Sequence, residues 1–249
     1  MAQGQDELAG RVFLVTGAAG GVGSAIVAQL RSAGAAVVAE DLAPALEKRH
    51  AGDELVATLV ADAAADDTAE RAVELALTRY GRLDGLVNNA ARFLLKPISE
   101  TQPAEFDELM RVNVRSVFLH TRAAAPVLTE SGGAIVNIAS TSGLVGVRDQ
   151  IAYTATKGAI VQLTRTTAIE LAPAVRCNAV APGALDTAFI DGVVPGDPAE
   201  AKRLSASRYP LQRLTSAEEV ADMVTFLVTD RGRAMTGSIV VVDGGKTAE

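Results

Sequence analysis

The sequence predicts an α/β protein: one doubly wound parallel sheet of about seven strands, with helices on both faces. Short β-branched runs alternate with helical patterns almost from end to end. Most of these runs are continuously apolar, as strands covered on both faces must be. Parallel neighbours also need crossover connections, which right-handed βαβ units supply.

The elements follow in order. A first strand at 11–16 leads through a glycine-rich turn into a helix over 22–33, and further strands occupy 35–40 and 55–60. The alanine-rich stretch 61–69, holding Asp62, Asp66 and Asp67, reads as a loop leading into a helix over 67–80. A fourth strand at 83–88 precedes a long helix over 103–129, and a fifth at 134–140 precedes a helix over 152–171. A sixth strand lies at 175–180. Residues 184–213, with Pro195, Pro198 and Pro210, have no clear periodicity. A loop of that length inside a compact domain is usually functional, and its place after a strand C-terminus suggests a substrate-covering lobe. A helix over 216–229 and a strand at 239–242 close the chain. No repeat or low-complexity linker interrupts residues 1–249, so one domain is expected.

Composition narrows the function. The chain has 249 residues, 49% of them hydrophobic, and a formal net charge of −7. Its mean hydropathy is +0.22 and its pI about 5.0. Ample apolar material for a core, with no basic cluster, argues against a nucleic-acid partner. No apolar run approaches the roughly 18 residues of a membrane span, and the N-terminus lacks the apolar core of a signal peptide. Cys177 is the single cysteine, which excludes an intrachain disulfide and suits the reducing cytoplasm. It lies among apolar neighbours with no histidine near it in sequence, as a buried structural thiol would. His50 and His120 have no second ligand at metal spacing, so no metal site is expected.

The first turn, Gly17-Ala18-Ala19-Gly20-Gly21-Val22-Gly23, joins a strand to a helix. Glycines there let the backbone approach a pyrophosphate, whose charge the helix N-terminus favours. The strict G-x-G-x-x-G spacing fails, because Ile26 holds its third position; the pattern is the wider T-G-x-x-x-G-x-G. Glu40 and Asp41 end the second strand. An acid there accepts from adenosine ribose hydroxyls and repels a 2′-phosphate, so NAD is expected over NADP. Arg49 or Lys48 folding back would weaken that expectation.

Tyr153 and Lys157 stand at i and i+4, on one face of a helix. A phenol ordinarily titrates near 10. A neighbouring cation favours the phenolate, and the sequence predicts a Tyr153 pKa lowered by Lys157, as a general acid/base requires. Thirteen residues before Tyr153, Ser140 ends the fifth strand at the C-terminal edge of the sheet, where a hydroxyl can polarise a carbonyl.

Together these residues resemble the classical short-chain dehydrogenase/reductase family, from about Leu8 to Gly245. The resemblance rests on the Thr16-Gly17 turn through Gly21 and Gly23, on Asn88-Asn89-Ala90-Ala91, and on a tetrad of Asn113, Ser140, Tyr153 and Lys157. It extends to Pro182-Gly183-Ala184-Leu185-Asp186-Thr187 and to the C-terminal Asp243-Gly244-Gly245. Ala91 stands where the family has glycine, so strain is expected if that position needs a positive φ. The resemblance implies a single Rossmann-type NAD(P)-binding domain that interconverts a secondary alcohol and a ketone by hydride transfer. Cofactor contacts would come from Gly17, Gly21, Val22, Gly23, Asp41, Asp62, Asn89, Tyr153, Lys157, Pro182, Gly183 and Thr187, with Asp62 on the adenine. Tyr153 would move the proton and Ser140 would hold the carbonyl oxygen. Lys157 would hold the nicotinamide ribose, and Asn113 a water linking Lys157 to solvent. Phe93, Leu94, Ser142, Leu144, Gln150, Leu185 and Phe189 would line a pocket for a small-molecule substrate. The family also implies a homotetramer.

Two other readings stand beside this one. A catalytically silent nicotinamide-sensing regulator would have no physical need of the intact tetrad. A sugar-nucleotide epimerase or dehydratase would need a larger C-terminal lobe than the stretch after Pro182 provides.

Overall fold

The computed structural model describes residues 7–187 and 197–248. Seven strands form one sheet: β1 (Val12–Thr16), β2 (Ala36–Asp41), β3 (Val56–Val60), β4 (Gly85–Asn88), β5 (Ala134–Ile138), β6 (Arg176–Pro182) and β7 (Ile239–Val242). They are ordered β3-β2-β1-β4-β5-β6-β7, and every pairing is parallel. The chain leaves β1 toward β2 and β3, then returns across β1 to β4. That reversal opens a crevice at the C-terminal ends of β1 and β4, where open α/β sheets bind ligands.

Both faces of the sheet are covered. Phe13, Val15 and Val37 pack with Ile26 and Leu30 of α1 (Gly21–Ser32) and with Val220, Val224 and Leu227 of α8 (Ala217–Val228). Val12, Leu14 and Val38 face the other way, onto Ala72 and Val73 of α3 (Thr68–Tyr80) and Leu128 of α5 (Ser116–Ser131). Alternate residues of β1 therefore enter opposite cores, which is why the run is apolar without a break. A capping box between Ser216 and Glu219 fixes the start of α8.

Several boundaries depart from the expected ones. The long helix over 103–129 is two helices, α4 (Pro103–Met110) and α5, joined by a π-turn at Arg111–Arg115. Single π-turns inside helices gather at functional sites and leave no mark in apolar periodicity. Two short helices were not legible, α2 (Ala45–Arg49) and α7 (Pro198–Ala206). The second gives structure to part of the irregular 184–213 stretch. The fifth strand stops at Ile138, and Ser140 caps a 3-10 turn at Thr141–Gly143 that leads toward α6 (Ile151–Leu171). Ala91 is not in the left-handed region. The only non-glycine residues there, among those described, are Asp149 and Gln212, so the strain expected at Ala91 does not arise.

Glu40 is another correction. It is fully buried, and its Oε2 lies 2.8 Å from Nε2 of His120 on α5. The strand period of two puts Glu40 on the face of Val38, under α5, and Asp41 on the other. Burial opposes protonation of His120, yet the hydrogen bond and charge of Glu40 bring its pKa above the ordinary value. A raised imidazole pKa stabilises the fold fully below the unfolded value of about 6.5, and the contribution is lost as pH rises through the folded value. Thermal melts from pH 6 upward are thus expected to show a declining Tm that Glu40→Gln flattens; parallel wild-type and variant curves would refute the pairing.

Candidate active site

A cavity of about 1040 Å3 opens at the C-terminal edge of the sheet. It is lined by Gly17, Gly20, Gly21, Val22, Asp41 and Asn89 and by Ser140, Tyr153, Lys157, Pro182, Gly183 and Thr187, with Thr187 lying against Gly21. Eleven of the fourteen different residues expected at the site from the sequence thus border one space; Gly23, Asp62 and Asn113 do not.

The glycine turn is shaped by close approach. A Cβ on Gly23 would lie 2.0 Å from the Gly17 carbonyl oxygen, so Gly23 serves the packing of helix on turn and not direct contact. Thr16 and Asn89 brace the turn. Thr16 Oγ1 accepts from the Asn89 and Ala90 amides at 3.0 Å each, and Asn89 Nδ2 donates to the Thr16 and Gly17 carbonyls at 3.0 and 2.9 Å. Gly20 caps α1 with no side-chain hydrogen bond, and the first turn of that helix holds no acid. Its leading amides therefore remain available at the cavity, the arrangement a pyrophosphate needs.

Asp41 is fixed by the backbone: Oδ2 accepts from the Ala19 amide and Oδ1 from the Ala43 amide, both at 2.9 Å. Arg49 does fold back, donating from Nη1 to the Ala19 carbonyl at 3.0 Å. Ala19 thus meets a carboxylate at its N–H and a guanidinium at its C=O. Glu40, expected beside Asp41 at the ribose, is not there. Asp62 is held by Arg111 Nη1 at 2.9 Å and by the Ala64 amide at 2.9 Å, away from the cavity lining.

The 3-10 turn after β5 lies hard against α6. A Cβ on Gly143 would come within 2.6 Å of the Lys157 backbone, a closeness that sets Ser140 against Tyr153 and Lys157. Ser140 Oγ accepts from the Ser142 amide at 3.1 Å. The Tyr153 ring meets Phe93 edge-on, with centroids 4.9 Å apart. Lys157 is buried, donates to the Ile138 carbonyl at 2.8 Å, and stands 5.7 Å from the Tyr153 ring centroid.

The electrostatics correct the sequence expectation. Burial pushes the Tyr153 phenol up to about 12, with a hydrogen bond to Ser140 working in the opposite direction. Burial also lowers Lys157, to about 8. The ammonium sits over the ring and is engaged by Ile138, so desolvation outweighs the attraction that i, i+4 spacing suggested. The Tyr153 phenol consequently keeps its proton at neutral pH.

Asn113 lies in the π-turn and is buried. Its Oδ1 accepts from the Arg92 amide at 2.8 Å, while Nδ2 donates to the Arg92 carbonyl at 2.9 Å and to Thr156 Oγ1 at 3.1 Å. The side chain ties the segment carrying Phe93 to α6. Of the substrate positions, Phe93, Ser142, Gln150 and Leu185 line the cavity. Leu94 packs instead with Leu109 and Tyr153, Leu144 gives way to Val145 and Val147, and Phe189 lies outside the described residues. Leu95, Leu204, Arg148 and Arg208 also border the space and were missed. No local pattern marks them, because loop residues converge only through the fold.

Cys177 is fully buried, with its thiol pushed up to about 12 by burial. Among the described residues, no helix is long and apolar enough to cross a membrane.

The chain matches a family model described as enoyl-(acyl carrier protein) reductase over residues 17–247. It is 38% identical to the 2-(R)-hydroxypropyl-CoM dehydrogenase of Xanthobacter autotrophicus, covering 96% of this chain and 99% of that one. It is also 38% identical to the cyclopentanol dehydrogenase of Comamonas testosteroni, covering 96% and 97%. A short-chain dehydrogenase/reductase from Brucella melitensis superposes with a TM-score of 0.90 at 33% identity, covering 97% and 98%. ElxO solved with NADPH bound gives 0.89 at 27% identity, covering 96% and 99%. With the parallel sheet and the cavity at its switch point, these likenesses establish that the chain is an oxidoreductase belonging to the classical short-chain dehydrogenase/reductase family.

Proposed function

We propose that the protein is an NAD(H)-dependent oxidoreductase interconverting a secondary alcohol and a ketone, with Tyr153 as general acid/base. The observation that carries this reading is one continuous cavity lined both by the glycine turn and Asp41 and by Ser140, Tyr153 and Lys157. The uncapped start of α1, with Gly20, Gly21 and Val22 on the cavity, fits a dinucleotide there. When bound, the nicotinamide cofactor supplies or accepts the hydride.

The chain's own residues do the rest. Gly17, Gly21 and Val22 receive the pyrophosphate, and Asp41 the adenosine ribose. Pro182, Gly183 and Thr187 border the nicotinamide end, while Lys157 holds its ribose. Ser140 donates to the substrate oxygen, and Tyr153 passes it the phenolic proton in reduction or takes it back in oxidation. Asn113 braces the Phe93 segment against α6 and holds a water linking Lys157 to solvent, and Asp62, paired with Arg111, contacts the adenine. The whole chain would act as one domain, with residues 184–213 covering the substrate. A cytoplasmic setting suits its inert buried thiol.

Cofactor choice follows from Asp41 and Arg49 together. NADH is expected to give the higher kcat/KM, because the fixed carboxylate repels a 2′-phosphate. Arg49→Gln should widen that preference by removing the neighbouring cation, and Asp41→Ala should reverse or erase it. The test compares NADH with NADPH on the unmutated enzyme. A preference for NADPH of about tenfold, some 1.4 kcal/mol, would overturn the role given to Asp41.

A homotetramer is the proposed assembly, supported by exposed Phe118 on α5, Ile169 on α6 and Val241 on β7. Light scattering at micromolar concentration should give four subunits; a monomer would remove this part of the proposal.

A further inference from the structure

We infer that the substrate carries an anionic group, received at the cavity rim by the guanidinium groups of Arg148 and Arg208; this rests on the oxidoreductase reading and specifies its substrate class. Phe93, which meets Tyr153, and Leu95, Val145, Val147, Leu185 and Leu204 give the cavity an apolar wall. Such a wall suits a hydrocarbon spacer and gives no reason for cations. Yet Arg148 and Arg208 border the same space.

Neither side chain makes a hydrogen bond or ion pair with any described residue, although nine other arginines are ion-paired with carboxylates. The two acids that line this part of the cavity are already engaged. Asp197 caps α7 through the Ala199 amide at 3.1 Å, and Glu200 faces Arg203 at 3.7 Å. Both arginines also sit on held segments. The Asp149 carbonyl next to Arg148 accepts from the Lys96 amide at 2.6 Å, and Gln150 Oε1 accepts from Ser142 Oγ at 2.9 Å. The Arg208 amide donates to the Ser205 carbonyl at 3.0 Å, and the Tyr209 hydroxyl accepts from the Ala184 amide at 2.8 Å.

In a chain of net charge −7, two unmatched guanidinium groups locally reverse a field that would otherwise repel anions. The guanidinium fork matches a planar oxyanion, with carboxylate as the simplest case. The substrate read by this arrangement has a ketone or secondary alcohol at Tyr153, an apolar spacer, and a terminal oxyanion at the rim.

The test uses keto acids of increasing chain length against their methyl esters. Binding to the NADH-loaded protein is followed by calorimetry and turnover by kcat/KM. At the best length the acid should exceed its ester by about tenfold or more, some 1.4 kcal/mol. In the double variant Arg148→Gln, Arg208→Gln, whose sites are exposed and whose fold should be intact, that ratio should fall to about one. Esters equal to or better than acids at every length, an unchanged ratio in the double variant, or no saturable binding of any acid would overturn the inference. Turnover without preference for the acid would do so while leaving the oxidoreductase reading in place. Charge-selective binding without turnover of any compound would support the rim site and count against the reaction proposed for Tyr153.

Discussion

Tyr153→Phe is expected to lower kcat by about two to four orders of magnitude while NADH affinity stays within about twofold of wild type. Only the hydroxyl is removed. The ring keeps its edge-on contact with Phe93 and its place beneath Lys157, so the melting temperature should scarcely change. The pH dependence has a defined sign. With the phenol pushed up to about 12, Tyr153 keeps its proton throughout the neutral range. Lys157, lowered to about 8, loses its proton as pH rises through that value. Reduction should therefore be level below pH 8 and decline above it, as the cation beside the nascent phenolate disappears. Steady-state kinetics on any accepted ketone, with NADH binding followed by fluorescence, checks both expectations. Wild-type kcat in Tyr153→Phe would exclude the phenol as the proton donor.

Gly23→Ala should be the most damaging small substitution. Its methyl carbon would stand 2.0 Å from the Gly17 carbonyl oxygen and 2.8 Å from the Gly17 carbonyl carbon. Backbone cannot yield to such an overlap as a flexible side chain does, so the turn and the start of α1 must separate. Overpacking of this kind costs about 3 kcal/mol, or roughly 6–12 °C in Tm for a domain of this size. NADH affinity should fall at least about 100-fold, equivalent to some 2.7 kcal/mol, because the displaced amides are those proposed to receive the pyrophosphate. Gly20→Ala is the matched stability control, since its Cβ would meet nothing closer than 3.6 Å. Calorimetry on the two variants separates the cases. Equal melting temperatures would show that the turn relaxes freely, and Gly23 would lose its packing role.

Much of this architecture was legible in the chain. Continuous apolar runs such as 12–15 gave the buried parallel strands, because a strand covered on both faces admits no polar alternation. The wider glycine spacing, Asp41, Ser140 and the Tyr153–Lys157 pair marked the site residues at the ends of strands and on one helix face. These are local patterns, and the cavity that gathers most of them follows from the crossover at β1.

What the sequence could not determine lies where the surroundings of a side chain decide its state. Glu40 and Asp41 read as two acids at one strand end, yet strand alternation sends one under His120 and the other to the glycine turn. Tyr153 and Lys157 read as a cation lowering a phenol, whereas burial raises the phenol and lowers the ammonium. Asn113 reads as a polar residue of the tetrad, and its position in a π-turn with its amide on Arg92 and Thr156 carries no sequence mark. Arg49 and the two rim arginines carry no sequence pattern because their neighbours arrive from other segments. Periodicity fixes which face a residue takes within its own element. Desolvation and hydrogen-bond partners depend on what packs against that face, and only the tertiary structure decides that.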